Sequence, residues 1–312
     1  MNLNRRANAV CRRLLDDAER LRVAVRRIGG AWVVDCGIEA LGGLEAGRAM
    51  AEVCLAGLGE VDITPAFNTQ FGLAVSVKTE HPVAACMASQ YAGWQITQGK
   101  YFAMGSGPMR AVAGKEPLFD TIGFRETADT VIGVLETRKF PTPEVIDYLA
   151  AACNLPPERL TLLVAPTASQ AGTVQIVARS VETALHKLHE LGFELSRITS
   201  GYGVAPLPPV AADDLTAIGR TNDAVLYGGE VTLWVRGDDA SLEDIGPRVP
   251  SNASTDHGRP FRAIFESYNR DFYKVDPRLF SPAVVTFINL DTGRSQRFGE
   301  LSPDVLNESF SS

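Results

Sequence analysis

Arg179, Glu182 and His186 follow one another at steps of three and four in the stretch Gln175-Ile-Val-Ala-Arg179-Ser-Val-Glu182-Thr-Ala-Leu-His186, with Gln175 one step earlier. Side chains three or four apart are neighbours on an α-helix, so Arg179 can hold the Glu182 carboxylate in one orientation. A carboxylate fixed beside a binding cleft can orient a water or accept its proton, which is the work of a general base. The same spacing equally describes a solvated ion pair worth only about 0.2–0.5 kcal/mol. On the other stripe Val174, Val177, Val181, Leu185 and Leu188 recur with helical period. One amphipathic helix, buried along that stripe, is expected to carry all four polar residues.

A glycine-rich stretch, Tyr101-Phe102-Ala103-Met104-Gly105-Ser106-Gly107-Pro108-Met109-Arg110-Ala111, is the second informative segment. Gly105 and Gly107 allow backbone N–H groups to approach an anion, and Arg110 adds charge. The spacing matches neither the nucleotide phosphate loop nor the dinucleotide fingerprint, so neither an ATPase nor a dinucleotide enzyme follows. A tight turn before a helix is the structural alternative. His186 and His189 are three apart, but two ligands without a third give no metal site, and no metal is expected.

These residues need elements to position them. The spacing predicts a first helix over 4–27, ended by Gly29-Gly30, and a short strand over 31–37. A helix follows over 44–58, and 61–77 holds two possible strands broken by Pro65 and Asn68. Ser89 to Trp94 reads as a loop or helix terminus. Apolar runs at 130–137 and 160–164 read as strands, and 143–153 as a helix with Pro143 in its first turn. The second run feeds the polar loop Ala165-Pro166-Thr167-Ala168-Ser169 and then the Arg179–Glu182 helix. Gly201 to Pro209 reads as a connector, and Gly219 to Gly229 as a polar cluster before a strand at 230–235. Asp291-Thr292-Gly293 marks a hairpin between 284–289 and 295–298. Strands and helices do not alternate strictly enough for a doubly wound parallel sheet. The expected class is α/β (α+β): two domains with mixed sheets and an interdomain substrate cleft. The expected limits are 1–100 joined by 260–312 for the first domain, and 101–259 for the second.

Composition bounds the function. The 312 residues are 45% hydrophobic and 21% charged, an ordinary globular profile. A net charge of −7 argues against a general nucleic-acid binder. Five cysteines without a C-x-x-C pair read as reduced core thiols of a cytoplasmic protein. No apolar run approaches the roughly 18 residues that span a bilayer, and the arginine-bearing N-terminus is no signal peptide. No membrane partner is expected.

Taken together, Ser89-Gln90-Tyr91-Ala92-Gly93-Trp94, Tyr101 to Pro108, Ala165 to Ser169, Arg179-Ser-Val-Glu182, Thr221-Asn222-Asp223 and Asp271-Phe272-Tyr273-Lys274 resemble the methenyltetrahydromethanopterin cyclohydrolase family. The resemblance runs from about residue 30 to the C-terminus, with the motifs in the family's order. It implies reversible hydrolysis of N5,N10-methenyl-tetrahydromethanopterin to the N5-formyl compound, a step in one-carbon metabolism and formaldehyde oxidation. It also implies no cofactor, a pterin held in an interdomain cleft, and a homo-oligomer, trimers being known in the family. The family's catalytic glutamate matches Glu182 and its partner arginine Arg179. Tyr91 stands where archaeal members often carry lysine, which points to a bacterial-type member acting on the dephospho pterin and leaves that lysine's role open here.

Substrate contacts are expected from Gln90, Tyr91, Trp94, Ser106, Arg110, Ser169, Thr221, Asn222, Asp223 and Lys274. Tyr91 and Trp94 are equally candidates for the core. The hydroxyl, amide and carboxylate groups at 169 and 221–223 are equally candidates for caps, and Lys274 for the surface. Three alternatives stay open: a methenyltetrahydrofolate cyclohydrolase, a non-catalytic pterin-binding protein, and an anion-binding protein built on Gly105 to Arg110.

Overall fold

The structure is a computed structural model and describes residues 1–66, 71–271 and 274–311. Asn68, expected to break a strand, and Phe272 and Tyr273 of the last motif lie outside the described residues. The described residues form twelve strands: β1 (Ala24–Ile28), β2 (Ala31–Asp35), β3 (Gly59–Pro65), β4 (Leu73–Thr79), β5 (Trp94–Gln98), β6 (Tyr101–Ser106), β7 (Val131–Glu136), β8 (Leu160–Ala165), β9 (Ile198–Pro206), β10 (Glu230–Val235), β11 (Val284–Asn289) and β12 (Ser295–Gly299). They form two six-stranded mixed sheets, as the expected class requires. Among the described residues no helix is long and apolar enough to cross a membrane.

The chain divides into two compact units, Met1–Glu60 with Ala84–Gln175, and Val61–Val83 with Ile176–Ser312. This differs from the boundaries expected near 100 and 260. The C-terminal segment joins the second unit because β11 pairs in parallel with β10. The 61–83 segment leaves the first unit because β4 pairs with β9.

In the first unit the strand order is β1-β2-β8-β7-β6-β5. The central strands β2, β8 and β7 run parallel, and the outer pairs are antiparallel. Both faces of this centre are covered, which is why β7 and β8 read as nearly unbroken apolar runs. Ile132, Val134 and Leu163 face the helices Leu3–Asp16 and Leu44–Cys54. Val131, Leu135, Leu160, Leu162 and Val164 face the helix Pro143–Ala152, which Thr142 caps. The expected long first helix is not formed. It stops at Asp16, and Gly29-Gly30 turns the β1–β2 hairpin with φ of +53° and +90°. A glycine pair that ends a helix equally supplies the two positive φ values of a two-residue hairpin turn.

The second unit carries the order β12-β11-β10-β9-β4-β3. The expected hairpin around residues 291–293 is present as β11–β12. The segment read as a Gly/Pro connector is β9, the strand between β10 and β4. Its glycines serve packing. A Cβ at 201 would stand 2.7 Å from Val181 Cγ1, and one at 203 would stand 2.4 Å from Ser180 Oγ. Without them the helix Ser180–Glu190 lies directly on the strand. The polar cluster at 219–229 belongs to a helix, Asp214–Gly228, capped by Asp213 through Thr216 N–H (2.9 Å).

Candidate active site

The single helix expected from Gln175 to His186 is two. Gln170–Val177 ends, Ala178 and Arg179 form a turn, and Ser180–Glu190 begins. Neither Gly nor Pro marks the break, so periodicity runs through it unseen. Arg179 N–H donates to Ile176 O (3.0 Å), and Arg179 takes the N-cap position with φ −93° and ψ 8°. Its carbonyl accepts both the N–H and the hydroxyl of Thr183, each at 2.8 Å.

Glu182 therefore sits in the first turn, where unpaired N–H groups and the helix dipole favour a negative charge. Arg179 Nη1 lies 3.9 Å from Glu182 Oε2, and the two side chains are only 9% and 8% exposed. The pair is not the solvated one that spacing also allowed. At 3.9 Å the charges face each other beyond direct hydrogen-bond range, and their burial strengthens the attraction relative to water. Val181, Leu185 and Leu188, on the expected apolar stripe, are fully buried. His186 stands 3.8 Å from Glu190, one turn further on. Among the described residues no group of three His, Cys, Asp or Glu side chains is placed to hold a metal.

Four other expected site residues lie in the second unit. Thr221 is buried and donates to Ala217 O (2.8 Å), and Asn222 Nδ2 donates to Ile218 O (2.8 Å). Asp223 is fully buried and accepts Phe261 N–H (2.8 Å) and Ser309 Oγ–H (2.6 Å). It braces the helices Phe261–Ser267 and Pro303–Ser311, and burial pushes its carboxyl up to about 7. Lys274 is a surface lysine 3.7 Å from Asp271.

The remaining expected contacts lie in the first unit. Gln90 ends a π-helix, Val83–Gln90, and is fully buried, whereas Tyr91 just beyond it is partly exposed. π-helical turns are rare and often mark functional segments. Trp94 belongs to the core, with its ring 6.2 Å from that of Tyr148. Ser106 is buried, 3.2 Å from Cys54 Sγ. Ser169 Oγ donates to Pro166 O (2.8 Å) and accepts Gly172 N–H (3.0 Å), a turn-and-cap role.

Arg110 is directed inward rather than toward an anion in the glycine-rich turn. It is fully buried and bonded to Glu116 and to two carbonyls. Sequence reasoning missed Glu116 because it lies between two short helices, Met109–Ala113 and Leu118–Ile122, in no regular element that would tie its position to Arg110. Two surface clefts are lined elsewhere. One of about 590 Å³ has Lys100, Tyr101, Lys139, Phe140 and Glu144 on its walls, and one of about 170 Å³ has Arg220, Arg262 and Glu266. Neither includes Arg179, Glu182 or any expected substrate contact.

Comparison with known proteins adds the family. The family model described as "Cyclohydrolase (MCH)" matches residues 2–310. A methenyltetrahydromethanopterin cyclohydrolase of Rhodopirellula baltica is 47% identical over 315 residues, covering 99% of this chain and 95% of that protein. One of Xanthobacter autotrophicus is 51% identical over 299 residues, covering 95% and 89%. An archaeal one, of Methanosarcina mazei, is 44% identical over 315 residues, covering 99% and 98%.

Proposed function

The chain belongs to the methenyltetrahydromethanopterin cyclohydrolase family, and we propose that within it Glu182 is the general base and Arg179 the residue that orients it. The protein is a hydrolase that opens the methenyl bridge of a tetrahydromethanopterin. The bridge is an amidinium-like cation, so its carbon is electrophilic. Water oxygen bonds to that carbon and a proton leaves to the base. The C–N10 bond then breaks as the carbonyl forms, N10 takes up a proton, and the N5-formyl product results with one proton released overall. Carbon keeps its oxidation level, so the step needs no electron acceptor.

The observation that supports this reading is the buried Arg179–Glu182 pair at the start of a helix. Carboxylate and guanidinium share one turn, so the carboxylate has a defined direction. Helix N-terminus and arginine both favour its charged form, which attracts the cationic substrate and can receive the proton. A base so placed contributes about 10²–10⁴-fold.

The test is loss of the methenyl chromophore in purified protein, with the dephospho-methanopterin substrate and with methenyltetrahydrofolate in parallel. Turnover of the pterin alone, reduced at least 10²-fold in a folded Glu182→Gln variant, is the expected result. Near-normal turnover in that variant refutes the base assignment, and turnover of the folate instead refutes the substrate. The same reading makes the protein a cytoplasmic homo-oligomer, for which light scattering in solution is the direct measurement.

A further inference from the structure

The glycine-rich turn and the Ser89–Trp94 segment are joined by one side chain. The π-helix Val83–Gln90 closes with Tyr91 N–H donating to Cys86 O (2.8 Å). This wide turn leaves carbonyls near its end to be satisfied from outside. Arg110 Nη1 donates to Met87 O (3.0 Å) and Ser89 O (3.2 Å), and Gly107 N–H also donates to Ser89 O (2.8 Å). The rest of the guanidinium grips Glu116, Nε to Oε1 at 2.9 Å and Nη2 to Oε2 at 2.5 Å. Its Cζ lies 5.0 Å from the ring centre of Tyr91 and 5.2 Å from that of Phe119. The Glu116 carboxylate reaches the backbone of the same segment, where a Cβ at Gly93 would meet it at 2.1 Å.

A fully buried guanidinium is an expensive way to stabilise a fold, since desolvation of both charges offsets much of their attraction. What the arrangement supplies is geometry. A planar fork held by a bidentate carboxylate presents a fixed face, and a ring lying on it has few orientations left. Tyr91, partly exposed, lies on that face, and buried Gln90 sits between it and the clamped Ser89 carbonyl.

We propose that Arg110, fixed by Glu116, is a positioning residue that sets the Tyr91 ring for binding the pterin and acts on the substrate through Tyr91. This rests on the cyclohydrolase reading and adds a role that the Arg179–Glu182 chemistry does not need. Arg110→Lys keeps the charge and loses both the fork and the planar group beneath the ring.

The experiment is a double-mutant cycle of Arg110→Lys and Tyr91→Leu. It reads KM, kcat, melting temperature and the dissociation constant for the methenyl pterin from tryptophan fluorescence. Each single variant is expected to raise KM and the dissociation constant about tenfold, with kcat within twofold, and the double variant to go no further than either. Glu116→Gln, which keeps the shape, is expected to give a smaller rise of the same kind and stands in if Arg110→Lys does not fold. Additive effects in the cycle overturn the proposal. So does a lowered melting temperature with unchanged KM, the outcome of a purely structural clamp. Binding without turnover in the wild type would sink the activity and leave the cycle readable from dissociation constants. Absence of both binding and turnover in the wild type would overturn the activity and the positioning role together.

Discussion

Replacing Gly203 by alanine tests how the helix that begins after Arg179 and carries Glu182 is placed. The new Cβ would stand 2.4 Å from Ser180 Oγ, 3.0 Å from Val181 Cγ2 and 3.2 Å from Ser180 Cβ. Ser180 and Val181 are fully buried, so neither side chain can swing into solvent, and the helix start must move. Overpacking of this kind costs about 1–3 kcal/mol. At about 2–4 °C per kcal/mol for a domain of this size, the melting temperature should fall by about 2–12 °C. The helix start also carries Arg179 and Glu182, and a misplacement near 1 Å can cost about 10²-fold in rate. A shift of a few tenths of an ångström should therefore lower kcat about tenfold, with a smaller change in KM. Ser180→Ala removes the nearest clashing atom, a buried hydroxyl with no hydrogen-bond partner among the described residues, at little cost of its own. The double variant should regain part of both stability and kcat. Gly246→Ala is the control: its Cβ would meet the Phe298 ring at 2.2 Å, so it should lower the melting temperature and leave kcat alone. Scanning calorimetry and the chromophore assay give both readouts. A folded Gly203→Ala protein with wild-type kcat, or no rescue by Ser180→Ala, would refute the reasoning.

Two further outcomes follow from buried titratable groups. Burial raises the Asp223 carboxyl to about 7 in the folded protein, above its unfolded value, so the folded state holds a proton that the unfolded state gives up from about pH 4 upward. That contribution to stability is lost as pH rises toward 7. Asp223→Asn removes the charge and keeps an acceptor for Phe261 N–H, so its stability relative to the wild type should be higher at pH 8 than at pH 5. An equal difference at the two pH values, measured by denaturant unfolding, speaks against it. All five cysteines are buried thiols, and burial pushes those of Cys11 and Cys153 up to about 12. Native protein at pH 8 should therefore resist alkylation that modifies all five after unfolding; fast labelling of the native protein, followed by mass spectrometry, would contradict the burial.

What could be read from the sequence was what local pattern encodes. Thr142 and Pro143 announce a helix start, Asp291-Thr292-Gly293 announces a hairpin, and the apolar runs of β7 and β8 announce strands covered on both faces. The Arg179–Glu182 spacing survives the break in the helix because the N-cap and the third residue beyond it still share one turn. The depth of that pair was not legible: a spacing of three fits a surface pair and a buried one alike, and only the tertiary packing around it decides between them. Gly29-Gly30 and Gly201/Gly203 were misread for one reason. Glycine signals a backbone need without saying whether that need is a turn or the close approach of another element.

The same limit explains the unit boundaries and the fate of Arg110. No composition shift accompanies the passage of residues 61–83 into the second sheet, because β4 is chosen by its pairing with β9 and not by its own residues. A glycine-rich turn followed by an arginine has the local signature of an anion site, and what changes its meaning is Glu116, which lies in no regular element shared with it. Once Glu116 neutralises the guanidinium, its Nη1 donors are directed to the carbonyls of Met87 and Ser89. The charge that a local reading would give to a ligand is spent within the protein, beneath the ring of Tyr91.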